Sequence, residues 1–500
     1  MKKTDSILTK YGKIQGYSEK DLEIFKGIKY AEAPIGELRF SPPVAKKSWD
    51  GVLDATEYDP CAFQGYTELV KLVGKLQPES EDCLSLNIWT PKADDKKRPV
   101  LFWIHGGAFK TGSGKSPLYD GSTLARRGNV VVVTCNYRLG ALGFLYIPGI
   151  TANVGMLDQV AALEWVHDNI EFFGGDPDNV TIFGESAGGY SVVILCAMPA
   201  AKGFFKRGIA QSAPFIDPDV SDKISRRLMK SLNIKKGDID ELRQVPPEKI
   251  IAKQDIITAA PTDLLAFRPL IDGDIIPIHP LKAFQNGDCK NIDLIIGTNL
   301  DEAKLFTALN PNMAKLNDEE WKKNIIAILA LLGIDKNKGQ EILNTYKEAR
   351  KGKYSIEYKE IASAILTDMM FRISTLELLE AQSKQQKNTY NYLFTWPSPG
   401  FGGNLGACHA IEIPFVFNNL DIPGMNLFSG TGAEAEELSE KIMDAWINFA
   451  RTGNPNHDGL PEWPPYDAKN RATMFLGKEC HLVNAAFDEE REVWEDKFKV

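Results

Sequence analysis

Four short apolar runs rich in Val and Ile, at residues 100–104, 130–133, 180–183 and 294–296, each end against polar, Pro or Gly residues. Runs of that length with no polar alternation suit strands buried on both faces, as in a parallel sheet. Between the second and third runs, Met156, Val160, Leu163, Val166 and Ile170 recur at spacings of three and four, one face of a helix. Strands of this kind alternating with helices predict an α/β chain wound on a central, mostly parallel sheet. With 500 residues, a quotient of about 150 per domain suggests about three units. No repeat and no long Pro/Ser/Gly linker divides the chain, however, so one large unit over 1–500 is expected. Residues 310–385, rich in Lys, Glu and Leu, read as several helices forming an accessory region within it. The glycine- and proline-rich stretch 397–406 reads as a loop.

Composition narrows the function. The hydrophobic fraction of 43% supports a sizeable core, and 58 basic against 67 acidic residues leave a net charge of −9. Such a chain lacks the basic footprint of a nucleic-acid binder. The longest apolar run, 325–332, is far short of the ~20 residues that span a bilayer and reads as a buried helix. No apolar segment follows the basic start, so the chain reads as cytoplasmic. Seven cysteines without a C-x-x-C pair indicate neither a zinc site nor a disulfide scaffold. No metal and no cofactor is expected.

The chemistry gathers around Gly184, Glu185, Ser186, Ala187 and Gly188, with the strand-like 180–183 before them and a helix-like segment after. A nucleophilic serine must stand proud on a sharp strand-to-helix turn. Glycines at the flanking positions remove the Cβ atoms that would clash there. The turn also sets Ser186 and the Ala187 amide at a helix N-terminus, where developing negative charge is favoured. A second strand, 100–104, runs into His105, Gly106, Gly107, Ala108 and Phe109, a loop of small residues able to turn N–H groups toward a carbonyl oxygen.

A serine alcohol needs a base, and the base an orienting acid. Among six histidines, His167 precedes the serine on a helix and reads as a surface residue. His279 lies between prolines, His457 in a polar turn and His481 in the far C-terminal segment. His409, after the glycine-rich loop and before an apolar run, is the natural base. Asp301 and Glu302 follow the strand 294–296 at its carboxyl end, where α/β folds place their sites. Spacing alone does not choose between them. Two nucleotide-binding look-alikes, 112–116 and 430–435, lack respectively the required early glycine and a tolerable charge, and both read as loops.

With those blocks in place, the chain resembles the type-B carboxylesterases of the α/β-hydrolase fold, and within them the bacterial para-nitrobenzyl esterases. Further blocks carry the likeness: Gly27, Ile28, Lys29, Tyr30 and Ala31; Glu81, Asp82 and Cys83; Asn136, Tyr137 and Arg138; and Phe173 to Pro177. The resemblance implies a serine carboxylesterase with helical insertions around its active site, acting on small to medium acyl or aryl esters. It puts the nucleophile on Ser186, the acid on Glu302 and the base on His409, with the amides of Gly107, Ala108 and Ala187 as the oxyanion hole. It also suggests supporting roles for Glu185 and Ser212. Ala108, Ala213, Ala303 and Lys29 depart from the family pattern, and none of these changes removes a catalytic group. Between Cys61 and Cys83 stand Phe63 and Tyr66 but no Trp, which argues against choline esters. Secreted relatives close that loop with a disulfide, whereas here both cysteines are expected reduced. The partner is a small-molecule ester, with no nucleic acid and no membrane, and the chain is expected as a monomer or small homo-oligomer. Trp396 and Phe371 are candidate pocket walls, with core packing as the equal alternative.

Overall fold

The computed structural model describes residues 2–65, 78–214, 221–259 and 265–495. All four apolar runs are strands of one twelve-stranded sheet. Its centre is a block of seven parallel strands. In spatial order these are Val131–Cys135, Arg98–Ile104, Gly175–Glu185, Arg207–Gln211, Asp293–Asn299, Thr389–Phe394 and Thr473–Leu476. Antiparallel strands complete both edges. Ser85–Thr90, Leu22–Lys29, Tyr17–Glu19 and Lys2–Lys3 extend one side, and His481–Val483 closes the other. A separate small sheet joins Ile7–Leu8, Lys13–Gln15 and Val52–Asp54.

Period-two geometry explains why the central runs are apolar throughout: successive side chains serve opposite faces. Val100, Phe102, Ile104, Val131, Val133, Ile182, Leu294 and Ile296 enter one core. Leu101, Trp103, Val132, Phe183, Ile209 and Ile295 enter the other. The first core is covered by Val154–Asn169, through Met156, Val160, Leu163 and Val166, and by Ala187–Ala197 and Ile373–Ser383. Over the second lies the long helix Ala433–Thr452, through Leu438, Ile442, Met443, Trp446 and Phe449. Full burial of an aliphatic or aromatic side chain of this size contributes about 1.5–3 kcal/mol, so both faces are strongly held.

The stretch 318–383 is helical: Asp318–Leu331, Lys336–Arg350, Tyr358–Thr367, a π-turn over Asp368–Arg372, and Ile373–Ser383. It has its own core of Trp321, Ile325, Leu329, Ile342, Tyr346 and Ile365, joined by Trp494 from the chain's far end. The run 325–332 is not a buried helix throughout. Ile325 and Leu329 face this core, but Leu331 is 82% exposed because the helix ends there and turns its last apolar residues outward. Residues 430–435 are likewise not all loop. Gly432 caps the 20-residue helix Ala433–Thr452, so Glu434 and Glu436 sit in a helical first turn, where acidic side chains complement the dipole. The 112–116 segment is a loop, with Ser113 Oγ donating to Asn136 Oδ1 at 2.7 Å. No disulfide joins the described cysteines, and Cys61 and Cys83 are both buried. Phe63 packs half-buried against the first core, and Tyr66 lies outside the described residues. Among the described residues, no helix is long and apolar enough to cross a membrane.

Candidate active site

Three chain reversals at the carboxyl ends of the parallel strands meet in one place. The first is the turn between Gly175–Glu185 and Ala187–Ala197. Ser186 there has φ 57° and ψ −121°, and its N–H donates to Gln211 O at 2.9 Å. A non-glycine residue takes a positive φ only when its surroundings impose it, and here two backbones press on the turn. A Cβ on Gly188 would stand 2.0 Å from Ile104 O, and one on Gly184 would stand 2.6 Å from the same atom. Alongside runs the loop after Arg98–Ile104, where Gly107 and Ala108 also have positive φ, 105° and 57°. Gly106, Gly107 and Ser186 face one cavity, and Ala187 opens the helix beside them.

The second reversal follows Asp293–Asn299 and sends its two acids in different directions. Glu302 is fully buried, and its Oε2 lies 2.6 Å from His409 Nδ1. Its other oxygen accepts from the Asn299 N–H at 2.7 Å and from Ser212 Oγ at 2.5 Å. Asp301 turns away. It accepts from the Ala407 N–H at 3.0 Å and pairs with Lys304 at 3.1 Å. Asp301 thereby pins the third reversal, the glycine-rich loop that delivers His409.

Two aromatic rings pack against one side of the His409 imidazole. Phe306, one helical turn beyond Glu302, and Phe371, on the π-turn, lie 5.0 Å and 4.9 Å from its centroid. The π-turn is fixed from behind: Asp368 accepts from Tyr346 OH at 2.5 Å, Trp494 Nε1 donates to Tyr346 OH at 2.7 Å, and Arg372 pairs with Asp368. Phe371 is therefore packing for the histidine rather than a pocket wall. Trp396 is also core, against Phe415, with Nε1 donating to Ser429 O at 2.8 Å.

On the other side of the ring, Nε2 stands 3.0 Å from Glu185 Oε1. Among the described residues no hydrogen bond joins Ser186 Oγ to the imidazole in this arrangement. A third carboxylate, Glu412, accepts from Asn299 Nδ2 at 2.6 Å and from Gln211 Nε2 at 3.1 Å. Burial opposes a charge on His409, but Glu185, Glu302 and Glu412 together outweigh it and push its pKa up to about 9. Burial, reinforced by Glu412 and Glu302 and opposed by His409, pushes Glu185 up to about 8. Glu412 is raised by burial first and by Glu302 second.

The other histidines lie elsewhere. His167 is exposed beside Asp168, His279 accepts from the Leu281 N–H at a helix start, and His457 holds a turn through Gly459. His105 is buried, stacks on Tyr137 and is pushed down to about 4 by burial. The sequence assigns no role to Gln211, Asn299 or Phe306, because their parts in the site come from packing.

Residues 3–494 match the carboxylesterase family. The chain belongs to that family. This carboxylesterase is 37% identical to the para-nitrobenzyl esterase of Bacillus subtilis, covering 97% of each chain. It is 36% identical to the phenmedipham hydrolase of Pseudarthrobacter oxydans, covering 94% of each. Its fold matches a solved carboxylesterase of Geobacillus stearothermophilus with a TM-score of 0.85 at 37% identity, covering 98% of this chain and all of that one. The fold is the α/β-hydrolase fold, and the chain is a carboxylic ester hydrolase. Both agree with what the resemblance implied.

Proposed function

We propose that this carboxylesterase hydrolyses small to medium acyl or aryl esters through a triad of Ser186, His409 and Glu302. The observation that carries the reading is the 2.6 Å contact between Glu302 and His409 Nδ1, with His409 and Ser186 lining the same cavity. Neutral His409 takes the proton of Ser186 as Oγ attacks the ester carbonyl. The developing oxyanion is met by the amides of Gly107, Ala108 and Ala187, each such donor being worth about 3 kcal/mol. His409 then protonates the leaving alcohol, and water, activated by the same imidazole, hydrolyses the acyl-enzyme. Glu302 holds the tautomer and stabilises the transient imidazolium, while Ser212 and the Asn299 N–H keep Glu302 in place. Glu185 holds Nε2 in the resting arrangement and releases it to Ser186 when substrate enters. Hydrogen bonds of this kind commonly tighten only with substrate bound. The substrate is a small molecule, and the chain acts in the cytoplasm as a monomer or small homo-oligomer.

Ser186→Ala tests the assignment. Hydrolysis of para-nitrophenyl acetate should fall by at least about 10⁴-fold with the fold unchanged. A phosphonofluoridate should label Ser186 of the native chain and no other residue. Comparable turnover in the variant, or labelling elsewhere, would refute the triad.

A further inference from the structure

The cavity over Ser186 has a volume of about 850 Å³, far more than an acetyl group fills. Its inner part is walled by buried Tyr119, Leu305 and Ile413. Its outer part is built by two loops, around 398–406 and 422–428. These are fastened together at their base, where Ser398 Oγ donates to Phe428 O at 2.5 Å and Ser398 N–H donates to Gly406 O at 2.8 Å. From the tips of these loops Phe401 and Leu427 project at the mouth, 56% and 70% exposed. Phe401 has a φ of 51°, with glycines on both sides. A large apolar side chain held in the left-handed region and left in water is costly on two counts, so an apolar guest that covers it gains on binding. Among the described lining residues the ionisable groups are Tyr119, Glu185 and His409, with no Lys or Arg.

We propose that this outer half is a subsite for the neutral apolar chain of a medium-length ester, gripped between Phe401 and Leu427. This deepens the proposed function and rests on the Ser186 reading. A carboxylate at the chain's far end would be desolvated against these apolar walls, so chain polarity is selected as well as length.

The test compares para-nitrophenyl acetate, hexanoate and the mono-para-nitrophenyl ester of adipate, all below micellar concentrations. A fully buried methylene is worth about fourfold, so even partial burial of the four extra carbons should favour hexanoate over acetate by at least about tenfold in kcat/KM. In Phe401→Ala/Leu427→Ala that ratio should collapse by at least about fivefold, chiefly through KM, while Phe401→Leu keeps most of it. The adipate monoester should be used at least about tenfold less well than hexanoate. Both altered side chains are exposed, and circular dichroism with thermal melting verifies the fold. A hexanoate-to-acetate ratio near one, a ratio untouched by the double substitution, or an adipate monoester as good as hexanoate would each overturn the subsite. Failure of every ester in the native chain would instead overturn the Ser186 reading.

Discussion

Glu185 occupies the side of His409 that the proposed mechanism gives to the serine, and replacing it has a calculable effect. His409 can act as a base only when neutral, so a pKa raised to about 9 means activity grows with pH and is lost as pH falls through that value. In Glu185→Gln the shape is kept, but the carboxylate 3.0 Å from Nε2 is gone. At that separation and an effective dielectric of about 20, Coulomb's law gives about 5 kcal/mol, a ceiling of about four pH units. The whole rise of His409, with burial opposing Glu185, Glu302 and Glu412, is only from 6.5 to about 9, so a smaller move of about one to two units is expected. The assay is kcat/KM for para-nitrophenyl acetate from about pH 5 to about pH 10. The ascending limb of the variant should lie at lower pH than that of the native chain. A limb that stays in place or moves upward would show that Glu185 does not stabilise the imidazolium.

Two further substitutions probe the supports of the site. Ser212→Ala removes a 2.5 Å bond to the buried Glu302, of a kind worth about 1.5–3 kcal/mol. It should lower kcat by about tenfold or more and lower the melting temperature, and an unchanged kcat would place Ser212 outside the machinery. Glu490→Ala leaves Arg350 as a buried charge whose two contacts, at 2.9 and 3.0 Å, are lost. It should cost about 3–5 kcal/mol. Amide exchange should rise in the helix Lys336–Arg350 before it rises in the central strands, and a uniform increase would contradict a local role.

What could be read without coordinates is what is encoded locally. The turn at Ser186 shows itself in five residues because crowding there demands glycine on both sides, and the central strands show themselves because both their faces are buried. Asp301 and Glu302 could not be told apart by spacing, since their directions are set by Ala407 and Lys304 in one case and by His409 in the other. Only the resemblance favoured Glu302. Phe371 reads from the sequence as a pocket wall or a core residue, but its place against His409 depends on a π-turn anchored by Tyr346 and Trp494, which are remote in the chain. The exposed end of the run 325–332 was hidden for a related reason, because composition shows how apolar a helix is but not where its neighbours stop.

The order of the strands has a consequence for how the molecule is made. From Gly175–Glu185 onward, each parallel strand lies next to the one synthesised before it, through Arg207–Gln211, Asp293–Asn299, Thr389–Phe394 and Thr473–Leu476. A chain emerging from the ribosome can therefore extend its sheet in one direction, each new strand finding a finished edge waiting. The growing edge is unpaired throughout, and only the antiparallel His481–Val483 ends the growth. Ser186 comes on the first strand of that series, Glu302 after the third and His409 after the fourth. On the proposed triad, the nucleophile is thus in place long before its base arrives, and a nascent chain stalled before residue 409 would hold an inert serine on an open sheet.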